Sequence, residues 1–252
     1  MAFGFQISGK VVSVHTDSGN LMSYCTDYLC NGTPDISVTV TPEDIAFERI
    51  KAAREDEIEG LPVRQLSDEQ LEITALQRKL TEALFDHDTL LFHGSVVAVD
   101  GQAYLFTAKS GTGKSTHTRL WREVFGSRAI MVNDDKPFLR VTPEGVFACG
   151  SPWMGKHGLG CNLSLPLKAV CILRRGQENR ITPITAQQAL PMLFQQSQCP
   201  AKGENLPKYM DLIDQLAARV DLYQMACNMD PEAALVSYRA MSGDRKDNCN
   251  ED

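Results

Sequence analysis

The stretch Ala108-Lys109-Ser110-Gly111-Thr112-Gly113-Lys114-Ser115-Thr116 decides how the rest of the chain is read. It follows an apolar run, Ala103-Tyr104-Leu105-Phe106, and opens an amphipathic segment through Phe125, which Gly126 ends as a C-cap. A strand, a glycine turn and a helix in that order fit the phosphate-binding loop, with Ala108 in place of the first glycine. Gly111 and Gly113 let the backbone turn tightly, so that successive N–H groups point inward at phosphate oxygens. The following helix N-terminus favours an anion at the same place. Lys114 is expected to neutralise β- and γ-phosphates, and Ser115 to offer its hydroxyl to Mg²⁺. The expected nucleotide-binding set is Ser110, Gly111, Thr112, Gly113, Lys114, Ser115 and Thr116, with ATP and Mg²⁺ as the implied ligands.

Outward from the loop, a magnesium site needs a carboxylate. Asp134-Asp135 follows the run Ala129 to Val132, nineteen residues after Ser115. That predicts the pair at the C-terminal end of a neighbouring strand, where ligands bind in open α/β sheets. One carboxylate suffices for the metal, and the second can take the proton from an attacking hydroxyl. We assign Asp134 as base and Asp135 as metal partner, with the two roles exchangeable at this level; the alternative is a polar turn after a strand. His93 opens the strand that precedes the loop strand, where it either orients a carboxylate or phosphate or is a satisfied core histidine. Gly150 to Asn162 is glycine-rich and carries Trp153, Lys156 and His157. It reads as a lid on the acceptor side, with two cations for an anionic group and an indole face for the acceptor, or else as a plain surface loop. Arg174-Arg175 ends a strand, as a phosphate contact or as solvated charge. His117 is expected to pack or cap, and Trp121 to belong to the core.

The chain has 252 residues, 43% of them apolar, enough for one large domain with a small appendage. A formal charge of −7 repels a phosphate backbone, so nucleic acid is excluded as the expected partner. No run of 18 apolar residues predicts a membrane span, and Met1 to Gln6 has no secretory pattern. The eight cysteines show no Cys-x-x-Cys pair and read as reduced thiols of a cytoplasmic protein. Strands are expected at Val11–Val14 and Ile36–Val40, and helices at 45–53 and from a capping box at Ser67 to Phe85. From His93 strands and helices alternate: strands at 95–99, 102–107, 129–132, 146–149 and 169–173, helices at 115–125, 186–195, 206–220 and from Asp230 to about Met241. The expected organisation is an N-terminal β/α module over 1–89, an α/β nucleotide-binding domain over 90–241 and a disordered tail over 242–252.

His93-Gly94, a short hairpin, Ser-Gly-x-Gly-Lys-Ser and then the Asp-Asp pair resemble the HPr kinase/phosphorylase family, whose catalytic core is similar to that of ATP-dependent phosphoenolpyruvate carboxykinases. The resemblance covers about residues 93 to 175. It implies an α/β P-loop core of that type and an active site lined by His93. It also implies phosphate and metal binding by Lys114 and Ser115, and the Asp134/Asp135 pair as base and metal ligand. The implied activity is ATP-dependent phosphoryl transfer to a hydroxyl, either a serine of a protein or peptide or a small-molecule alcohol. A reversible kinase/phosphorylase, a P-loop hydrolase and a nucleotide-sensing module without turnover stay open, as does assembly into a homo-oligomer.

Overall fold

The computed structural model describes residues 1–199 and 203–243, which divide into two compact units, Met1–His87 and Asp88–Asp252. In the first unit β1 (Ala2–Ile7) and β2 (Lys10–His15) form an antiparallel hairpin around Ser8 and Gly9, both at positive φ. After α1 (Asn20–Tyr24), β3 (Ile36–Thr39) adds to β2 in parallel. β1 goes beyond the strands that the β-branched runs predict; it is built on Phe3, Phe5 and Ile7, which alternate inward with period two. α2 (Pro42–Ile58) begins at Thr41, whose backbone N–H donates to Asp44 (3.0 Å), and runs past the expected end at Ala53. α3 (Asp68–Phe85) begins at the predicted capping box, with Gln70 N donating to Ser67 Oγ (3.2 Å) and Ser67 N to Gln70 Oε1 (3.0 Å). Its buried stripe is Leu71, Ala75, Leu76, Leu80 and Leu84. Arg78 of α3 pairs with Glu48 (2.5 Å) and Asp44 (3.0 Å) of α2, which satisfies the buried Glu48 carboxylate.

The second unit is mixed α/β, built on a nine-stranded sheet. Its strands are β4 (Thr89–Leu91), β5 (Ser95–Val99), β6 (Gln102–Thr107), β7 (Ala129–Asn133), β8 (Phe138–Thr142), β9 (Gly145–Cys149), β10 (Ser164–Arg175), β11 (Arg180–Pro183) and β12 (Asp221–Cys227). The order is β4-β8-β9-β10-β6-β5-β7, with β12 on β10 and β11 on β12. Only β10–β6 and β10–β12 are parallel among these pairings. The helices are α4 (Lys114–Phe125), α5 (Ala186–Gln196), α6 (Leu206–Arg219) and α7 (Glu232–Ser242). Ser242 therefore closes a helix, and the expected disordered tail beyond residue 243 lies outside the described residues.

One feature of this sheet departs from the sequence expectation. β7, which delivers Asp134-Asp135, is not the neighbour of the loop strand β6. β5 lies between them and runs antiparallel to both. The reason is local: Asp100-Gly101, at φ 52° and 80°, forms the tight turn that folds β5 back on β6.

α4 packs on this sheet through aromatic rings. Trp121 is fully buried and stands edge-on to Phe106 (5.3 Å between centroids), while His117 lies 4.6 Å from Phe106. Trp121 Nε1 donates to Ser237 Oγ of α7 (2.9 Å), and His117 Nε2 is 3.0 Å from the same hydroxyl. His117 is thus a core residue. Its Nδ1 has no partner, and burial lowers its pKa from 6.5 to about 4.

Between those two values the unfolded chain binds a proton that the folded chain does not. Stability from this residue is therefore complete above pH 6.5 and declines as pH falls towards 4, by on the order of 3 kcal/mol. Urea denaturation of wild type and His117→Gln at several pH values should show a flatter acid-side slope in the variant. Equal slopes would place the titrating group elsewhere.

Candidate functional site

The registers bring five strand ends to one edge of the sheet. β6, β7, β10 and β12 arrive by their C-terminal ends and β5 by its N-terminal end, since Ser95 pairs Phe106, Val96 pairs Asn133, Ile172 pairs Thr107 and Arg175 pairs Cys227. The glycine loop and the Asp134-Asp135 pair follow directly from those ends, His93 just precedes β5, and Arg174-Arg175 closes β10.

The loop turns at Lys109, whose carbonyl accepts from Thr112 N (3.2 Å) and Thr112 Oγ1 (2.7 Å). Gly111 (φ 74°) and Gly113 (φ 125°) occupy left-handed backbone that a side chain would strain. α4 then begins, with His117 N donating to Gly113 O at 2.9 Å. Lys114 folds back over the loop, 9% exposed, with Nζ 3.4 Å from Ala108 O. Burial lowers its pKa; Asp135 opposes that shift and Lys136 adds to it. Ser110 and Gly111 are exposed, whereas Thr112, Ser115 and Thr116 are half-buried.

Asp135 faces this lysine. Burial alone would raise its carboxyl, but the hydrogen bond from His93 and the charges of Lys136, His93 and Lys114 outweigh burial and hold it below the ordinary carboxylate range. His93 Nε2 lies 3.2 Å from Asp135 Oδ1. The histidine backbone is fixed on both sides: its N–H donates to Gln196 O (2.7 Å) and its carbonyl accepts from Thr107 Oγ1 (3.1 Å). Gly94 N donates to Asp135 O (3.0 Å), which ties the start of β5 to the aspartate pair. Asp134 is 5% exposed, and its Oδ1 accepts from Gly155 N at 2.6 Å.

Asn133, which the sequence reading passed over, organises the surroundings of both aspartates. It is fully buried. Its Oδ1 accepts from Asp135 N (2.9 Å) and Lys136 N (2.6 Å), and its Nδ2 donates to Ser151 O (3.0 Å) and Ser151 Oγ (3.1 Å). The available signal was an Asn ending an apolar strand two residues before an acidic one, which is the pattern of an Asx-turn.

The segment 150–162 lies against β7. Cys161 N donates to Val132 O (3.2 Å), and Gly160 bridges to Asn133. Gly150 is required by close approach, since a β-carbon there would sit 1.9 Å from Cys161 O. Lys156 and His157 are exposed on a turn that Gly158 N closes onto Gly155 O (3.0 Å). Neither makes a hydrogen bond or ion pair among the described residues. Trp153 behaves differently from the expectation of an open indole face. It is 6% exposed and packs edge-on to Phe138, 6.3 Å between centroids, because burying an apolar ring here outweighs leaving it in water. The structure thus brings together Lys114, His93, Asp134 and Asp135, with Ser115 in the first turn of α4, and leaves Lys156 and His157 at the rim.

Among the described residues, no group of three or more His, Cys, Asp or Glu side chains gathers as a metal site, and no helix is long and apolar enough to cross a membrane. The seven described cysteines form no disulfide, and Cys249 lies outside the described residues.

These features define a mixed α/β protein whose strand–loop–helix carries a lysine opposed by a histidine-held aspartate. The chain belongs to the family described as SynChlorMet cassette protein ScmC, which it matches over residues 62–240. No curated protein matches it. Among solved structures it is similar to the HPr(Ser) kinase/phosphatase from Coxiella burnetii, at 11% identity and a TM-score of 0.36, over 60% of this chain and 89% of that one. A likeness this loose leaves the function to be read from the site's own residues.

Replacing Asn133 by Ala leaves two part-buried N–H groups, of Asp135 and Lys136, without their acceptor. Denaturant unfolding should show a loss of about 2–4 kcal/mol. Wild-type stability in Asn133→Ala would show that the aspartate pair is held by other means.

Proposed function

We propose that this chain is an ATP- and Mg²⁺-dependent kinase that transfers the γ-phosphoryl group to a hydroxyl, on a serine of a protein or peptide or on a small-molecule alcohol. The observation that carries this reading is the buried Lys114 at the head of α4, facing an Asp135 that His93 holds ionised.

Phosphoryl transfer asks a protein for positioning and charge neutralisation rather than covalent work. Lys114, largely removed from water, meets phosphate charge with less screening than a surface lysine would. Mg²⁺ is usually held by one or two carboxylates together with substrate phosphates and water, so the lack of a three-carboxylate cluster does not disfavour it. The residues fit that pattern: Asp135, kept charged by its neighbours, and the Ser115 hydroxyl would hold the ion, which would supply neutralisation of the transferring group's charge. His93 orients Asp135 through Nε2.

Asp134 has the complementary character of a base. One of its oxygens accepts from Gly155 N, while Oδ2 makes no hydrogen bond among the described residues. That oxygen takes the proton as the acceptor's O–H bond breaks, the new P–O bond forms and ADP departs. Lys156 and His157, at the rim on the segment that Asp134 holds, meet the acceptor. Reduced thiols suit a cytoplasmic protein, and nucleic acid and membrane are not partners in this reading.

Calorimetry should show that Lys114→Ala loses ATP affinity with the fold intact; wild-type affinity would remove the nucleotide assignment. Asp134→Asn should spare ATP binding and lower acceptor-dependent ADP release roughly 10²–10⁴-fold, and Asp135→Asn should also raise the Mg²⁺ requirement. Near-normal turnover in both would reduce the pair to a turn. Lys156→Ala should change the acceptor's KM and kcat by a larger factor than the ATP Kd, and the reverse would make this segment a nucleotide clamp.

A further inference from the structure

The flank of the loop opposite the aspartates has a different character. At the ends of β10, β11 and β12 two cavities adjoin, of about 390 and 330 Å³. Lys109 and Thr112 of the loop, with Arg174, Arg175 and Gln224, line the first, over a floor that includes Ile172 and Met192. Arg174, Arg175 and Gln224 continue into the second, where Arg180 and Thr182 join them. Four cations therefore converge here, and no carboxylate lines either cavity among the described residues.

Among the described residues none of the four makes an ion pair there. Arg175 donates to a neutral acceptor, Gly111 O, at 2.6 Å, and the guanidinium of Arg174 and that of Arg180 make no hydrogen bond among the described residues. The chain as a whole carries a formal charge of −7, so the cluster runs against its overall balance. Gathering like charges without counter-charges raises the energy of the free protein, and an anion bound among them lowers it. Guanidinium forks match carboxylate and phosphate alike, in bidentate pairs. The cavities fall in the size range of small-ligand sites, with neutral donors in Gln224 and Thr182.

The nucleotide does not account for these cations. Its phosphates have Lys114, the loop N–H groups and the α4 N-terminus, and the aspartates stand on the other side of β6. We infer that this trough is a second ligand site, which takes a molecule bearing two or more oxyanion groups, carboxylate or phosphate, held by Lys109, Arg174, Arg175 and Arg180. Arg175 touches both the trough and the loop carbonyl, so the two sites share a residue.

The test uses the full chain with the phosphate loop saturated by a non-hydrolysable ATP analogue, titrated with a tetraglutamate peptide in one arm and inorganic phosphate in the other. At least one probe should bind wild type and weaken with salt. That affinity should fall by at least about tenfold in Arg174→Gln/Arg180→Gln, with analogue affinity within about twofold of wild type. Binding of the peptide alone assigns carboxylates as the ligand groups, and binding of phosphate alone assigns phosphate. Failure of both probes to bind wild type, or undiminished binding in the double variant, overturns the site. So does an equal loss of analogue affinity, which would make these arginines part of the nucleotide site. If wild type does not bind the analogue, the kinase reading fails, and the same comparison of wild type and double variant without analogue still decides the trough.

Discussion

Strand β5 runs antiparallel between β6 and β7, and the chemistry at the sheet edge depends on that constraint. The two-residue turn at Asp100-Gly101 leaves the chain no room to cross over, so the start of β5 must return to the level where β6 ends. His93 is carried there with it. Because β7 pairs the far side of β5, Asp134 and Asp135 arrive at the same level from the next strand, with the histidine between them and the loop. Gly94 N to Asp135 O and Ser95 Oγ to Asp134 O then lock the two strand ends together.

Burial and charge compete at this edge, and the outcome differs residue by residue. For Lys114 desolvation wins, and the ammonium loses a proton more readily than it would in water. For Asp135 the hydrogen bond from His93, with the neighbouring charges, wins over desolvation. Asn133 fixes the turn at Asp135 without contributing charge. Its amide spans the aspartate turn on one side and Ser151 on the other, so a neutral buried group holds charged ones in place.

Much of this was legible in the chain itself. The capping box at Ser67, the glycine C-cap at Gly126 and the loop strand and helix lie where local chemistry predicts them. Other strands were not legible. β4 has three residues, β8 mixes Arg140 into an apolar run, and β12 follows α6 without a break beyond Val220. In each the strand is specified by the neighbour it pairs with rather than by its own periodicity. The same holds for Trp153, whose glycine-rich surroundings suggest exposure while its ring fills a space beside Phe138 that no local pattern reports.

By itself the sequence determined the loop, the residue types that its chemistry requires and the helices with strong caps, because those depend on backbone conformation and contacts a few residues apart. Only the tertiary structure decided that β5 separates the loop strand from the aspartate strand and that His93 bonds Asp135. It alone showed that Asn133 organises both and that Arg180 joins Arg174 and Arg175 beside the loop. These are pairings between residues distant in the chain, set by sheet order and register, and the energy that selects one register over another resides in the packed sheet rather than in any one strand.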